Sequence, residues 1–186
     1  PGMPSWPDGI WEDYQRYVQV YWDKIKGLFF TGDWAIRDQD GYIWVLGRAD
    51  EVLKVAGHRI GTYELESTLV SHKAVAESAV VGYPDEIKGE VPVAFVSLKT
   101  GFSPSAELEE ELKGWIRREF GPIAVPSRIF FVSRLPKTRS GKIMRRLLRA
   151  VLENKPLGDI TTLEDEAAVE EIKEAYEHIS KEIKRT

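Results

Sequence analysis

Two long β-rich runs on either side of a short turn constrain the fold of this chain more than any other feature. The first run extends from Val75 to Tyr83 and the second from Glu90 to Leu98, with Pro84-Asp85-Glu86 between them. Valine and aromatic residues favour strands, whereas proline and aspartate favour turns. The two runs are therefore predicted to pair as antiparallel strands of a small sheet.

A hairpin is predicted nearer the start of the chain. Phe29 to Arg37 and Tyr42 to Gly47 are strand-like, and the segment between them ends in Asp40-Gly41, which is a strong hairpin signal. Because the strand pattern breaks next, we predict a boundary at Asp50, between domains 1–49 and 50–186. Shorter strands are predicted at Glu51 to Val55, His58 to Ile60 and Arg128 to Val132.

Apolar residues at helical spacing predict the helical segments of the chain. Asp8, Thr62 and Ser105 are predicted to cap the first three of them, since short polar side chains bind the free N–H groups of a first turn. One or two short helices are predicted within Trp11 to Lys26, and single helices at Thr62 to about His72, Ser105 to about Phe120, Ile143 to Leu152 and about Glu164 to Lys184. The predicted fold class is α+β, with a small, mostly antiparallel sheet flanked by helices.

Composition excludes several classes of function. The net charge of −4 argues against a general nucleic-acid binder. The absence of cysteine excludes disulfides, thiolate chemistry and zinc–thiolate sites. No apolar run is long enough to span a bilayer and no signal peptide is evident, so we expect a cytoplasmic protein that does not enter membranes.

The most concentrated charge lies in the stretch Pro136 to Arg146, where five of the eleven residues are Lys or Arg. The Ser140-Gly141 pair predicts a turn immediately before Lys142. A lysine at the end of such a loop suits an anionic oxygen whose charge changes during a reaction. Taken alone, the stretch is more simply interpreted as a solvated basic turn that leads into an amphipathic helix.

Other candidate residues are weak signals when each is taken alone. Asp33, after Thr31-Gly32, could accept the hydroxyls of a ribose, although local backbone donors are the simpler partners. Arg48 offers a planar fork to phosphate or ribose oxygens. Gly57 allows a ligand to approach the backbone closely, and Arg59 follows it. Further residues are assigned no chemistry: the three histidines lack the spacing of a metal site, and Glu107, Glu109, Glu110 and Glu111 are interpreted as a solvated helix face.

Three motifs in this order resemble the C-terminal part of the adenylate-forming acyl-CoA synthetase superfamily. They are Thr31-Gly32-Asp33, the run from Gly47 to Ile60 that includes Gly57-His58-Arg59-Ile60, and Pro136-Lys137-Thr138-Arg139-Ser140-Gly141-Lys142. The amino-acid sequences of the last two motifs are similar to those of the AMP-forming acetyl-CoA synthetase family. The resemblance implies that the predicted hairpin is a remnant of a larger N-terminal domain and that residues 50–186 form a mobile C-terminal domain.

The resemblance also implies a two-step reaction. Acetate attacks ATP to give acetyl-adenylate and pyrophosphate, the small domain rotates, and the thiol of CoA takes the acetyl group with release of AMP. Mg²⁺ would accompany ATP, with no ligand in this chain. The implied roles are adenylation lysine for Lys142, nucleotide binding for Asp33, Arg48 and Arg59, hinge for Asp50, and CoA binding for Gly57 and Arg117. Ala56 stands where this family often has serine.

The resemblance further implies that essential parts lie elsewhere. The phosphate-binding loop and the acyl pocket of such enzymes precede this region, and the start Pro1 to Pro7 has no initiator methionine, so we expect a piece that is inactive alone. Lys142 would be a target of a lysine acetyltransferase and deacetylase. Two alternatives stay open: a stand-alone CoA-binding or acetylation-acceptor module acting with a separate partner, and a propionyl-CoA synthetase fragment.

Overall fold

The chain divides at Asp50 into two compact units, Pro1–Asp50 and Glu51–Thr186. The structure is a computed structural model that describes residues 7–183. The proline-rich start at residues 1–6 and the predicted helix end at Lys184 lie outside the described residues. No helix among residues 7–183 is long and apolar enough to cross a bilayer.

Between residues 7 and 50, the first unit contains one helix and a two-stranded antiparallel sheet. Helix α1 (Tyr14–Tyr21) lies within the segment that was predicted to contain one or two short helices. Its cap is Asp13, whose carboxylate accepts a hydrogen bond from the backbone N–H of Arg16 at 3.1 Å, so the prediction of Asp8 as the cap is wrong. Strands β1 (Asp33–Arg37) and β2 (Ile43–Arg48) form the predicted hairpin. The pairing places Asp33 opposite Arg48.

The second unit is built on a five-stranded sheet. The long pair predicted from the sequence is confirmed, and it contacts a short hairpin on one side. The fifth strand pairs parallel to β6, whereas every other pairing in this sheet is antiparallel. The strands are β3 (Val52–Val55), β4 (His58–Gly61), β5 (Val75–Asp85), β6 (Gly89–Leu98) and β7 (Arg128–Phe131). The mostly antiparallel α+β architecture is thus confirmed.

In the described part of the second unit, four α-helices flank this sheet: α2 (Thr62–Val70), α3 (Ala106–Glu119), α4 (Arg145–Leu152) and α5 (Ala167–Ile183). Ser105 caps α3 as predicted, because its hydroxyl accepts from the N–H of Leu108 at 3.1 Å. Thr62 does not cap α2. It is the first helical residue after Gly61, and no side chain bonds that helix end.

Two apolar cores lie on opposite faces of the sheet, because successive side chains of a strand point to opposite sides. On β6, for example, Ala94 belongs to one core and Phe95 to the other. Helices α2 and α3 cover the first core with Leu65 and Leu112, whereas α4 and α5 cover the second. The loop that precedes α4 carries Lys142, so this arrangement positions the predicted lysine.

Candidate functional site

Lys142 lies at the end of a closed loop between β7 and α4. The N–H of Thr138 donates to the carbonyl of Lys142 at 2.9 Å, and the N–H of Lys142 donates to the hydroxyl of Thr138 at 3.1 Å. Gly141 donates its N–H to the carbonyl of Thr138 and has a φ of 81°, which favours glycine. The predicted turn before Lys142 is therefore confirmed.

The five cations of this stretch divide into two groups. Three of them bind partners inside the second unit and so help to build the loop. Arg139 and Lys142, by contrast, are exposed, and neither side chain has a hydrogen bond or ion pair among residues 7–183. The three bound cations pair as follows: Lys137 with Glu77, Arg145 with Glu66 and Glu51, and Arg146 with the carbonyls of Leu157 and Asp159.

A later segment of the chain holds the loop from its other side. The N–H of Arg139 donates to the carbonyl of Thr162 at 3.1 Å, and the N–H of Glu164 donates to the carbonyl of Lys137 at 2.9 Å. Thr138 also forms a β-bridge with Leu163. This contact was not predicted, because backbone pairing between distant irregular segments leaves no periodic pattern in a sequence.

A buried carboxylate that the sequence analysis missed anchors the helix after the loop. The side chain of Glu66 is 8% exposed, and its two oxygens accept from Nε and Nη2 of Arg145 at 2.8 and 2.5 Å. The N–H of Val80 also donates to this carboxylate, at 2.8 Å. Hydrogen bonding to Glu66 raises the pKa of the Arg145 guanidinium above its ordinary value, although burial opposes the shift.

In the first unit, the structure brings together three of the predicted site residues. Arg48 donates to the carbonyl of Thr31 at 2.8 Å, to Asp33 at 3.4 Å and to Asp50 at 3.3 Å. A Cβ at Gly32 would lie 2.5 Å from the guanidinium of Arg48, so the glycine leaves the space that the arginine fills. Both carboxylates and the guanidinium are solvent-accessible, which leaves part of their hydrogen-bonding capacity for a ligand.

A cavity of about 650 Å³ adjoins this cluster within the first unit. Arg48 and Asp50 line it, as does Lys24, and the ring of Tyr21 supplies an apolar wall. Cavities of this size accommodate small organic ligands. Asp33 does not line the cavity, but its carboxylate pairs with Arg48, and Arg48 does line it.

Gly57 lies in the tight turn between β3 and β4. Its φ is 83°, and that of Ala56 is 48°, so both turn residues have left-handed backbone. A Cβ at Gly57 would meet no atom within 4 Å, which means that the backbone there faces open space. Arg59 is exposed on β4 and pairs across the hairpin with Lys54.

Arg117 is exposed on α3, at the end opposite the Ser105 cap. The neighbouring carboxylates are not all solvated as predicted. Glu109 accepts from the N–H of Ile129, and Glu111 accepts from Nε2 of the buried His72. This contact with His72 lowers the pKa of Glu111. No cluster of His, Asp and Glu that could hold a metal occurs in the described part of the chain.

The predicted residues thus fall into separate groups. Asp33, Arg48 and Asp50 form one cluster in the first unit, whereas the others lie on three different elements of the second: Lys142 on the loop before α4, Gly57 and Arg59 on the β3–β4 hairpin, and Arg117 on α3. Their ligand-binding and catalytic roles stay predictions at this point.

Comparison with known proteins relates this chain to one family of enzymes. Residues 64–142 match the family described as AMP-binding enzyme C-terminal domain. All 186 residues align with acetyl-coenzyme A synthetase of Pyrobaculum aerophilum at 67% identity, covering 27% of that protein. The 3-hydroxypropionyl-coenzyme A synthetase of Metallosphaera sedula is 51% identical over 99% of this chain and 28% of its own length.

A solved structure is also similar to this chain. The ATP-bound RpMatB–BxBclM chimera is 33% identical and matches with a TM-score of 0.69 over 79% of this chain, which is 29% of that structure. The chain therefore spans under a third of the length of each of these three proteins.

Proposed function

Residues 64–142 belong to the AMP-binding enzyme C-terminal domain family, and from this premise we propose that the chain is the C-terminal part of an AMP-forming acetyl-CoA synthetase. The proposed parent reaction converts ATP, acetate and CoA into acetyl-CoA, AMP and pyrophosphate. The observation that carries the proposal is Lys142, an exposed and unpartnered cation on a rigidly closed loop among the described residues. Acetate is proposed as the substrate because the relative that is 67% identical to this chain is an acetyl-coenzyme A synthetase.

In the first proposed step, Lys142 donates hydrogen bonds to the acetate carboxylate and to the α-phosphate oxygens. Negative charge builds on the α-phosphate oxygens as the carboxylate attacks phosphorus, so a cation already in place there stabilises the transition state more than the ground state. The closed loop supports this role, because a lysine backbone that is already ordered loses little further freedom when the substrate binds. ATP supplies the adenylate, and Mg²⁺ has no ligand cluster among residues 7–183.

The cluster in the first unit is proposed to hold the nucleotide. Asp33 would accept the ribose hydroxyls, while Arg48 would contact ribose or phosphate oxygens with the donors left by its present partners. The fit is supported by the accessibility of both side chains and by the adjoining cavity. Arg59, exposed on β4, is proposed to lie near phosphate in one of the two steps.

Residues 1–49 and 50–186 are proposed to be the end of the large AMP-binding domain and the mobile C-terminal domain. Rotation at the hinge, Asp50, would replace Lys142 in the site with the turn that carries Gly57. The thiol arm of CoA would then pass along the open backbone of Gly57, with its nucleotide near Arg117. The open space at Gly57 supports the passage of a ligand.

A large preceding domain is the proposed partner of the hairpin in the first unit. Four consecutive residues at its second strand, Tyr42, Ile43, Trp44 and Val45, are each more than 60% exposed. Neighbouring residues of a strand point to opposite faces, so both faces of this strand expose apolar side chains, and exposed apolar surface marks regions that another part of a protein covers. Lys142 is exposed, and we also propose that it is a target of a lysine acetyltransferase and deacetylase. Acetylation would remove the charge that the first step needs.

A chimera tests this proposal. In the Pyrobaculum chimera, this chain replaces the matching segment of the Pyrobaculum aerophilum relative. With ATP, acetate and CoA, we expect the chimera to form acetyl-CoA and release pyrophosphate, and the isolated 186-residue chain to do neither. A folded chimera without activity would refute the proposed function, and turnover by the isolated chain would refute its dependence on the preceding domain.

A further inference from the structure

The side chain of Glu66 is buried in the second unit and is held there by hydrogen bonds. Its carboxylate accepts three hydrogen bonds, one from the backbone of Val80 and two from the guanidinium of Arg145. A buried carboxylate with a forked arginine and a backbone donor has little freedom to move, because each release would leave a buried charge unpaired. Arg145 is thereby held in one orientation.

The same guanidinium also reaches the boundary between the two units. Nη1 of Arg145 lies 3.4 Å from both carboxylate oxygens of Glu51, the first residue of the second unit. The preceding residue, Asp50, pairs instead with Arg48 of the first unit. Two consecutive carboxylates, those of Asp50 and Glu51, are therefore each bound to an arginine of their own unit, and the division between the units falls between them.

Arg145 is close to Lys142 along the chain, and the segment between them is ordered. The N–H of Met144 donates to the carbonyl of Pro136 at 2.8 Å, and Ile143 forms a β-bridge with Lys137. Because Arg145 begins α4, its anchor on Glu66 also fixes the end of the lysine loop. One guanidinium thus connects the loop, the core and the unit boundary.

We propose that Arg145 is a positioning residue that makes the unit boundary and the Lys142 loop move as one rigid piece. The inference rests on the proposed function. While Arg145 holds Glu51, a rotation of the second unit can take place only about the backbone bonds next to Asp50. The Lys142 loop then turns through the same angle as the rest of that unit. Without this contact, the chain after Asp50 gains additional flexible bonds, and the placement of Lys142 becomes less exact. A displacement of the order of 1 Å is costly for a transition-state contact.

Glu51→Ala in the Pyrobaculum chimera tests this inference, since it removes only the boundary contact and leaves Arg145 on Glu66. We expect kcat for acetate-dependent ATP–pyrophosphate exchange to fall about five- to tenfold with KM for ATP unchanged, because positioning acts on the transition state. Thioester formation from preformed acetyl-adenylate, which does not use Lys142, should keep its rate. Glu110→Ala is the control, because it also removes one ion pair, that with Lys113 on α3, and should change neither step.

A second variant separates positioning from a general structural role. Lysine at position 145 cannot fork onto Glu66 and reach Glu51 together, so in an Arg145→Lys background Glu51→Ala should have no further effect on exchange. Normal exchange in Glu51→Ala, or the same loss in both backgrounds, would overturn the inference. If the unmodified chimera made no acetyl-adenylate, the proposed function itself would fail, and the two failures are thus distinguishable.

Discussion

The Lys and Arg side chains of the stretch Pro136 to Arg146 carry the same charge but differ in their hydrogen-bond and ion-pair partners. Arg145 and Lys142 are three positions apart, yet Arg145 is bound to a buried carboxylate whereas Lys142 has no partner in the described part of the chain. The sequence indicated where the cations are concentrated and that a turn precedes Lys142. It could not distinguish the cations that are bound inside the fold from those that are exposed. Glu66 is 79 positions from Arg145, and a single glutamate on a helix does not indicate which cation it binds.

The buried pair leads to a prediction about stability. Arg145→Ala leaves the carboxylate of Glu66 buried with only a backbone donor, so the free energy of unfolding should fall by about 3–5 kcal/mol. Chemical denaturation of the isolated chain measures this. Lys173→Ala, which removes an ion pair with the exposed Glu170, is the control and should cost about 1 kcal/mol or less. Equal effects of the two substitutions would show that Glu66 and Arg145 do not form a buried pair.

Among the helices and strands, local sequence patterns predicted those features that are determined by residues close together in the chain. The Asp-Gly hairpin, the long strand pair and the Ser105 cap are all set by short-range chemistry, and the structure contains each of them. The parallel pairing of β7 with β6 and the bridge from Thr138 to Leu163 were not predicted. Both join distant parts of the chain, so their partners are chosen by packing and not by local preference.

The β3–β4 turn allows a prediction with a closely matched control. Gly57 and Gly101 both have positive φ, at 83° and 95°, and a Cβ at either would meet no atom within 4 Å. Leucine at either position should therefore carry a similar backbone strain of about 1–3 kcal/mol. In the Pyrobaculum chimera, Gly57→Leu should slow thioester formation from acetyl-adenylate at least about tenfold, because the side chain would obstruct the proposed CoA passage. Gly101→Leu should leave that step unchanged.

Steady-state measurements of the two half-reactions provide the test. Loss of thioester formation in both variants would attribute the effect to strain alone. Equal loss of adenylation and thioester formation in Gly57→Leu would argue that this turn has no special place in the second step.

At the scale of the whole molecule, the two units differ in how much they bury. The second unit has an apolar core on each face of its sheet, whereas all five residues of β1 in the first unit are exposed. A two-stranded hairpin is marginally stable in water without further packing. Amides of β1 and β2 should therefore exchange with deuterium at least about 100-fold faster than those of β5 and β6 in the isolated chain. Similar protection in both sheets would contradict this.

The difference between the units also explains how far the sequence could describe the site. The hydrophobic pattern predicts most helices and strands of the second unit, because the cores that these elements cover lie within this chain. The sequence identified Asp33, Arg48 and Asp50 only together with the other motifs, and it did not predict that Arg48 bonds both carboxylates. These contacts depend on the register that sets Asp33 opposite Arg48, a property of the folded hairpin.

The central claim is that Lys142 acts in the first half-reaction alone, and Lys142→Ala in the Pyrobaculum chimera tests it most directly. Arg139→Ala is the control, because Arg139 is also an exposed cation of this loop without a partner among residues 7–183. ATP–pyrophosphate exchange should fall at least about 100-fold in Lys142→Ala, since one charged transition-state contact is lost, and only slightly in Arg139→Ala. Thioester formation from preformed acetyl-adenylate should be largely preserved in both variants. Equal loss of the two half-reactions in Lys142→Ala would contradict the claim.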